Sequence, residues 1–197
     1  MKRIFGLTLG VTMCCLITLS FFVGKNMGRR IAVNFEPKNL NESERHEYEF
    51  LPKEMSNYIC DLCTEVGLDS DLAVAILMVE NPKFDTDAVN RNINGTLDCG
   101  LFQLNDRYLW TVFKESYWFE NLELDPFNWK HSCYLAIHHI GFLQKKLKVR
   151  NEVIMAYNCG MGAVMRNEVP ERTKVYLAKV NNNIYLLKQN KAKMINF

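Results

Sequence analysis

One carboxylate closes the most apolar helix-forming run in the chain. Residues Ala73–Glu80 read AVAILMVE and are followed by Asn81–Pro82. Proline disfavours helical geometry in the residue before it, so the helix is expected to stop at Asn81. Glu80 then lies at the negative end of the helix dipole among side chains that hydrate it poorly, and both effects oppose ionisation. A chain optimised for stability alone would carry Lys there. A carboxyl that keeps its proton near neutral pH is what a general acid requires. The competing reading is a last-turn Glu that reaches solvent or pairs with an Arg.

Other reactive residues form weaker patterns. Cys60 and Cys63 make a C-x-x-C that could join His131 and Cys133 around zinc, but the spacing matches no familiar zinc ribbon. Asn90–Gly95 imitates the start of a calcium loop, yet its first ligand is a neutral Asn and its twelfth position is Leu101, which leaves the cation without charge. Neither reading is adopted, so no metal is expected. His138–His139 lack a companion Asp or Ser motif and read as solvated or core histidines rather than part of a triad. Five cysteines lie beyond residue 30 (Cys60, Cys63, Cys99, Cys133, Cys159). That odd number allows at most two disulfides, with pairing not deducible. Tyr108, Trp110, Phe113, Tyr117, Trp118, Phe119, Phe127 and Trp129 include every Trp of the chain. Such rings can pack on the apolar faces of sugars, and at least one is expected to line a cleft while most build core.

The elements that must position these groups follow from length and pattern. The chain has 197 residues, 48% hydrophobic and 23% charged, which suits one folded domain. Five of the 24 basic residues and none of the 22 acidic ones fall in residues 1–30, so the remainder is net acidic and no nucleic-acid partner is expected. Residues Ile4–Val23 carry no charge and would span about 30 Å as a helix, enough to cross a bilayer core. Residues 1–30 are therefore expected to be a signal anchor or a signal peptide. Phe22 stands where a cleavage site wants a small residue, and the basic flanks are too symmetric to set orientation. Residues 31–48 read as a polar tether and 49–197 as the folded domain. Helical periodicity appears at Leu51–Val66, with Gly67 as stop, at Asp71–Glu80 with Asp69 or Ser70 as cap, and again at about 128–147, 151–158 and 171–188. Strand signals are weak, apart from a short hairpin over 89–99 turning at Asn94–Gly95. The expectation is a mainly α domain with a loop-rich middle.

Four linked motifs carry a resemblance. After Glu80 come Phe84, Ala88, Asn90, Asn94–Gly95, Asp98, Gly100–Asn105 (GLFQLN), then Ala156–Gly160 (AYNCG), then Val169–Thr173 (VPERT) with Tyr176 and Val180. In order and spacing over about residues 50–180 this resembles the lytic transglycosylases of the lysozyme-like group. It comes nearest the small enzymes that accompany secretion, conjugation and pilus machines. Asn81 departs from the family Ser, and Cys159 from the family Ala.

The resemblance implies a lysozyme-like α+β fold with a helical core and at most a minimal hairpin. It implies cleavage of the β-1,4 bond between N-acetylmuramic acid and N-acetylglucosamine in peptidoglycan, with Glu80 first giving a proton and then taking one as a 1,6-anhydro ring closes. One carboxyl then suffices, and no cofactor is implied. Asp98 occupies the place of a second lysozyme carboxylate, so a muramidase using Glu80 and Asp98 is an alternative, as is a non-catalytic glycan-binding scaffold on the same fold. Asn81, Gly100, Gln103, Tyr157, Asn158 and Tyr176 are implied at the substrate site. Tyr157 is expected to orient the acid. The implied partners are glycan strands, a membrane through the N-terminal helix, and an envelope-spanning secretion or pilus complex. The implied location is the bacterial cell envelope, anchored with the domain outside the cytoplasm.

Overall fold

The helix that ends in Glu80 lies in the buried core of the described residues. The computed structural model describes residues 48–113 and 124–195. The expected N-terminal span, residues 31–47 of the tether, and Tyr117, Trp118 and Phe119 lie outside the described residues. Among the described residues no helix is long and apolar enough to cross a membrane.

Helix α1 spans Lys53–Val66 and stops at Gly67, whose φ of 71° is left-handed and whose N–H returns to the carbonyls of Cys63 and Thr64. Glycine takes that conformation without steric penalty. Helix α2 spans Ser70–Glu80; its N-cap is Asp69, whose side chain accepts the Asp71 N–H at 3.0 Å. Leu72 to Leu77 are all at most 2% exposed, which explains why α2 lacks a polar face. Tyr48 ties the start of the domain to this helix: its hydroxyl donates to Asp71 Oδ1 at 2.8 Å, and its N–H to Ser56 Oγ at 2.8 Å.

Three short strands follow: β1 Val89–Arg91, β2 Leu97–Cys99 and β3 Leu104–Asn105. They form one antiparallel sheet in that order, with Asn90 opposite Asp98 and Asp98 opposite Asn105. The expected hairpin is present and turns through Gly95 at φ 79°. The third strand was not expected, because two residues in the run Leu101–Asn105 offer no alternation to read. A π-helical turn, Tyr108–Phe113, comes next.

The second half is helical. Helix α3, Trp129–Leu147, is capped by Asn128, which accepts the Lys130 and His131 N–H groups. Helix α4 is Arg150–Cys159, the short α5 is Met161–Met165, and α6 is Glu171–Ile195. The pattern predicted α3 and α4 within two residues, missed α5, and stopped α6 seven residues early. Helix α6 runs antiparallel along α2: Tyr176 meets Glu80, Asn183 meets the Ala75 carbonyl, and Lys188 lies 3.9 Å from Asp69. Fully buried Ile76, Leu77, Phe102, Leu135, Ile137, Ile140 and Ile154 join α2, α3, α4 and the loop before β3 into one core. The architecture is mainly α with a small antiparallel sheet, the lysozyme-like α+β arrangement.

Candidate active site

Three parts of the chain converge on the end of α2. The Asn81 N–H closes the last turn on Leu77 O at 2.9 Å, and Pro82 prevents continuation. Glu80 is thereby left at the helix C-terminus, partly buried. The Tyr176 hydroxyl, from α6, donates to Glu80 Oε1 at 2.7 Å. Burial pushes the Glu80 carboxyl up from 4.5 to about 7; the Tyr176 hydrogen bond opposes the rise and the negative charge of Asp98 adds to it. Burial and the charge of Glu80 hold the Tyr176 phenol well above its usual value, so it remains a donor.

Asp98 sits in the central strand, partly buried. Asn105 on β3 donates one amide N–H to Asp98 Oδ1 at 2.8 Å and the other to Thr96 Oγ1 at 2.9 Å. Asn105 belongs to the GLFQLN motif, but sequence reasoning gave it no role. Its position directly opposite Asp98 was the signal, readable only once β3 was recognised.

Several residues implied at the substrate site are engaged within the protein. Asn81 is 5% exposed; its amide donates to Asp85 O at 2.6 Å and Leu101 O at 3.2 Å, and its oxygen accepts the Asp85 N–H at 3.1 Å. That side chain knots the loop after Glu80 to the segment before β3. Gln103 donates to Gly100 O at 2.8 Å and Ala88 O at 3.1 Å, and its oxygen accepts from Asn90. It closes a loop, at a left-handed φ of 49°. Gly100 has φ +74°, and a Cβ there would lie 2.0 Å from Pro126 O. A close approach of backbone to backbone therefore demands this glycine.

The Tyr157 hydroxyl donates to Phe102 O at 3.0 Å rather than to the Glu80 carboxyl. Burial, with the charges of Glu80 and Asp98, raises its phenol well above the ordinary value. The hydroxyl that bonds the Glu80 carboxyl is that of Tyr176. Asn158 is exposed at the end of α4, and its oxygen accepts from Thr173 Oγ1 at 2.7 Å, which joins the AYNCG and VPERT motifs. Phe84 has a left-handed φ of 55° and stacks on Phe50, ring centroids 5.7 Å apart. Trp110 donates its indole N–H to Leu104 O at 3.1 Å, and Trp129 packs edge-on against Tyr58. Both rings therefore serve packing, whereas Tyr108 and Phe127 are exposed.

None of the remaining reactive residues contributes to the shift of the Glu80 carboxyl. Cys60, Cys63, Cys99, Cys133 and Cys159 are free thiols, the first four buried. Burial raises Cys63, Cys99 and Cys133 above the usual thiol value. Among the described residues no group of His, Cys, Asp or Glu is arranged to hold a metal ion. His138 and His139 are pushed down to about 4 by burial, and His139 lies 5.9 Å from the Tyr157 ring.

A protonated carboxyl near neutral pH, a hydroxyl fixing one of its oxygens and a nearby carboxylate can together perform proton transfer at a glycosidic oxygen. A family model described as the transglycosylase SLT domain matches residues 58–177, a span that includes every residue of this site. No curated protein matches the chain.

Proposed function

Because the chain belongs to the transglycosylase SLT domain family, whose members are peptidoglycan lytic transglycosylases, we propose that Glu80 is the single acid–base of this enzyme. The observation that carries the reading is the Glu80 carboxyl, lifted to about 7 by burial and held through one oxygen by Tyr176. With Oε1 occupied as an acceptor, the acid proton belongs on Oε2. That proton passes to the bridging oxygen as the bond from muramoyl C1 breaks. The resulting carboxylate takes the proton of the muramoyl 6-hydroxyl, O6 bonds to C1, and the 1,6-anhydro ring forms without consuming water. A group that must give and then accept a proton performs best with a pKa near the working pH.

Asp98 supports this cycle as a fixed negative charge. Its fixing by Asn105 at 2.8 Å favours a charge of defined position beside the sugar that becomes cationic in the transition state. The same carboxylate keeps a second reading in view, hydrolysis by Glu80 and Asp98 together. Digestion of purified peptidoglycan followed by mass spectrometry distinguishes them. Anhydromuramoyl ends, one water lighter than reducing ends, are expected from the wild type and none from Glu80→Gln. Reducing ends from the wild type would refute the anhydro step, and equal cleavage by Glu80→Gln would refute the role of Glu80.

The apolar run of residues 4–23 supports the further reading that the domain is held at the envelope membrane and faces the wall. The resemblance to machine-associated transglycosylases supports an envelope-spanning secretion or pilus complex as its partner. Fractionation of cells that produce the full chain tests the first. Co-purification with envelope complexes tests the second.

A further inference from the structure

An open cavity of about 290 Å³ lies on the seam between α2 and α6, lined by Met78, Val79, Pro82, Lys179, Asn182 and Asn183. Two of its lining residues bracket Glu80 in the chain: Val79 precedes it and Pro82 follows it by two residues. On α6, Lys179 lies three residues beyond Tyr176, the residue that holds Glu80. That separation is about 4.5 Å of helix rise, on a shared face.

The lining divides by chemistry. Helix α2 and the loop after it supply a thioether, an isopropyl group and a pyrrolidine ring. Helix α6 supplies an ammonium and two amides. Asn183 donates to Ala75 O at 3.4 Å. The neighbouring lysines of α6 have acidic partners, Lys174 with Glu171 at 2.8 Å and Lys188 with Asp69 at 3.9 Å. Among the described residues Lys179 has no such partner. An N-acetylated glycan backbone presents hydroxyls and acetamides but no charge, so the sugar rings do not explain an ammonium beside the acid. The volume sits near the lower end for small-molecule pockets, about 300 Å³, which suits a short peptide segment.

We propose that this cavity is a subsite for the acidic peptide stem carried on the muramoyl residue. Lys179 faces a stem carboxylate, Asn182 and Asn183 meet peptide amides, and Met78, Val79 and Pro82 pack against aliphatic carbons. The proposal rests on the reading of Glu80 as the acid. The muramoyl ring whose C1 is attacked must sit against Glu80, and the lactyl arm that bears the stem leaves from that same ring.

Two measurements test it. In the first, the full chain is titrated with a synthetic stem tripeptide bearing free carboxylates and followed by NMR. Saturable shifts at Lys179, Asn182 and Asn183 are expected, with roughly tenfold weaker binding in Lys179→Glu from the loss and reversal of one charge contact. In the second, cleavage is measured on stem-bearing peptidoglycan and on glycan stripped of stems by an amidase. Lys179→Glu is expected to raise KM on the first substrate alone. Absent saturable binding by the wild type, shifts confined to another surface, or an equal KM change on both substrates would overturn the subsite. Failure of the Glu80 reading looks different: Glu80→Gln then cleaves both substrates as the wild type does, while the peptide titration still reports on the cavity.

Discussion

Replacing Glu80 by Gln is expected to abolish cleavage and, at alkaline pH, to stabilise the fold. The carboxyl is lifted from 4.5 to about 7. Between those values the native state keeps a proton that the unfolded chain has released, so this group lowers stability as pH rises through the window. Holding the ionised form in the fold at pH 8 therefore costs about 3 kcal/mol relative to the unfolded chain, against about 1 kcal/mol at pH 5. Glutamine is nearly isosteric, its oxygen can still accept from Tyr176, and it never ionises. The variant should therefore exceed the wild type in stability by about 3 kcal/mol at pH 8, with the difference shrinking to about 1 kcal/mol at pH 5. For a domain of this size the alkaline gain corresponds to a Tm rise on the order of 8 °C. Denaturant unfolding at the two pH values, followed by far-UV circular dichroism, measures it. A stability difference that does not change with pH, or a variant less stable than the wild type at pH 8, would refute the argument that burial dominates at Glu80.

The electrostatic influences on Glu80 predict pH shifts of opposite sign. Tyr176→Phe removes a hydrogen bond that favours the carboxylate, so the alkaline limb of the turnover profile should move upward from about 7, with turnover about tenfold lower for want of orientation. Asp98→Asn removes a repelling charge, so that limb should move downward; shifts in the same direction for both variants would contradict the charge assignments. Asp98→Asn should also retain measurable cleavage, and damage as complete as that of Glu80→Gln would favour the hydrolytic route. In Gly100→Ala, the new Cβ would lie 2.0 Å from Pro126 O, so a stability loss of about 3 kcal/mol or more is expected by chemical denaturation. A neutral result there would mean that the Pro126 backbone yields readily.

Local physics made much of this protein readable from its sequence. Gly67, Asp69 and Pro82 bound α1 and α2 because caps and prolines act over a few residues. Glu80 stood out because a carboxylate at the end of an aliphatic run is unfavourable without a compensating role. What stayed hidden depends on contacts between distant segments. Tyr157 and Tyr176 both belong to matched motifs, but only the packing of α6 along α2 brings the Tyr176 hydroxyl to Glu80 across 96 positions of sequence. Asn81 and Gln103 are polar residues in the right motifs, and a motif does not say which way an amide points. In the fold both point inward and donate to backbone carbonyls, Asn81 to Leu101 O and Gln103 to Gly100 O. Strand β3 is two residues long, and the Asn105 amide that binds it to Asp98 leaves no periodic trace.

The tuning of Glu80 draws on separate parts of the fold, and this is where architecture meets chemistry. Burial on α2 alone raises the carboxyl, and Asp98 on β2 raises it further; the Tyr176 hydrogen bond from α6 works the other way. An acid raised too far would protonate the leaving oxygen poorly, because a weak acid gives up its proton reluctantly; one left near 4.5 would be ionised before it met the substrate. In the proposed cycle, a single residue that serves both half-reactions needs a balance between those limits. The balance is adjustable because its two polar contributors stand on different elements, a sheet strand and a helix packed on α2. Movement of the sheet relative to α6 would change the pull of Asp98 and leave the Tyr176 bond intact. The proton affinity of Glu80 is therefore coupled to how closely the sheet approaches the end of α2.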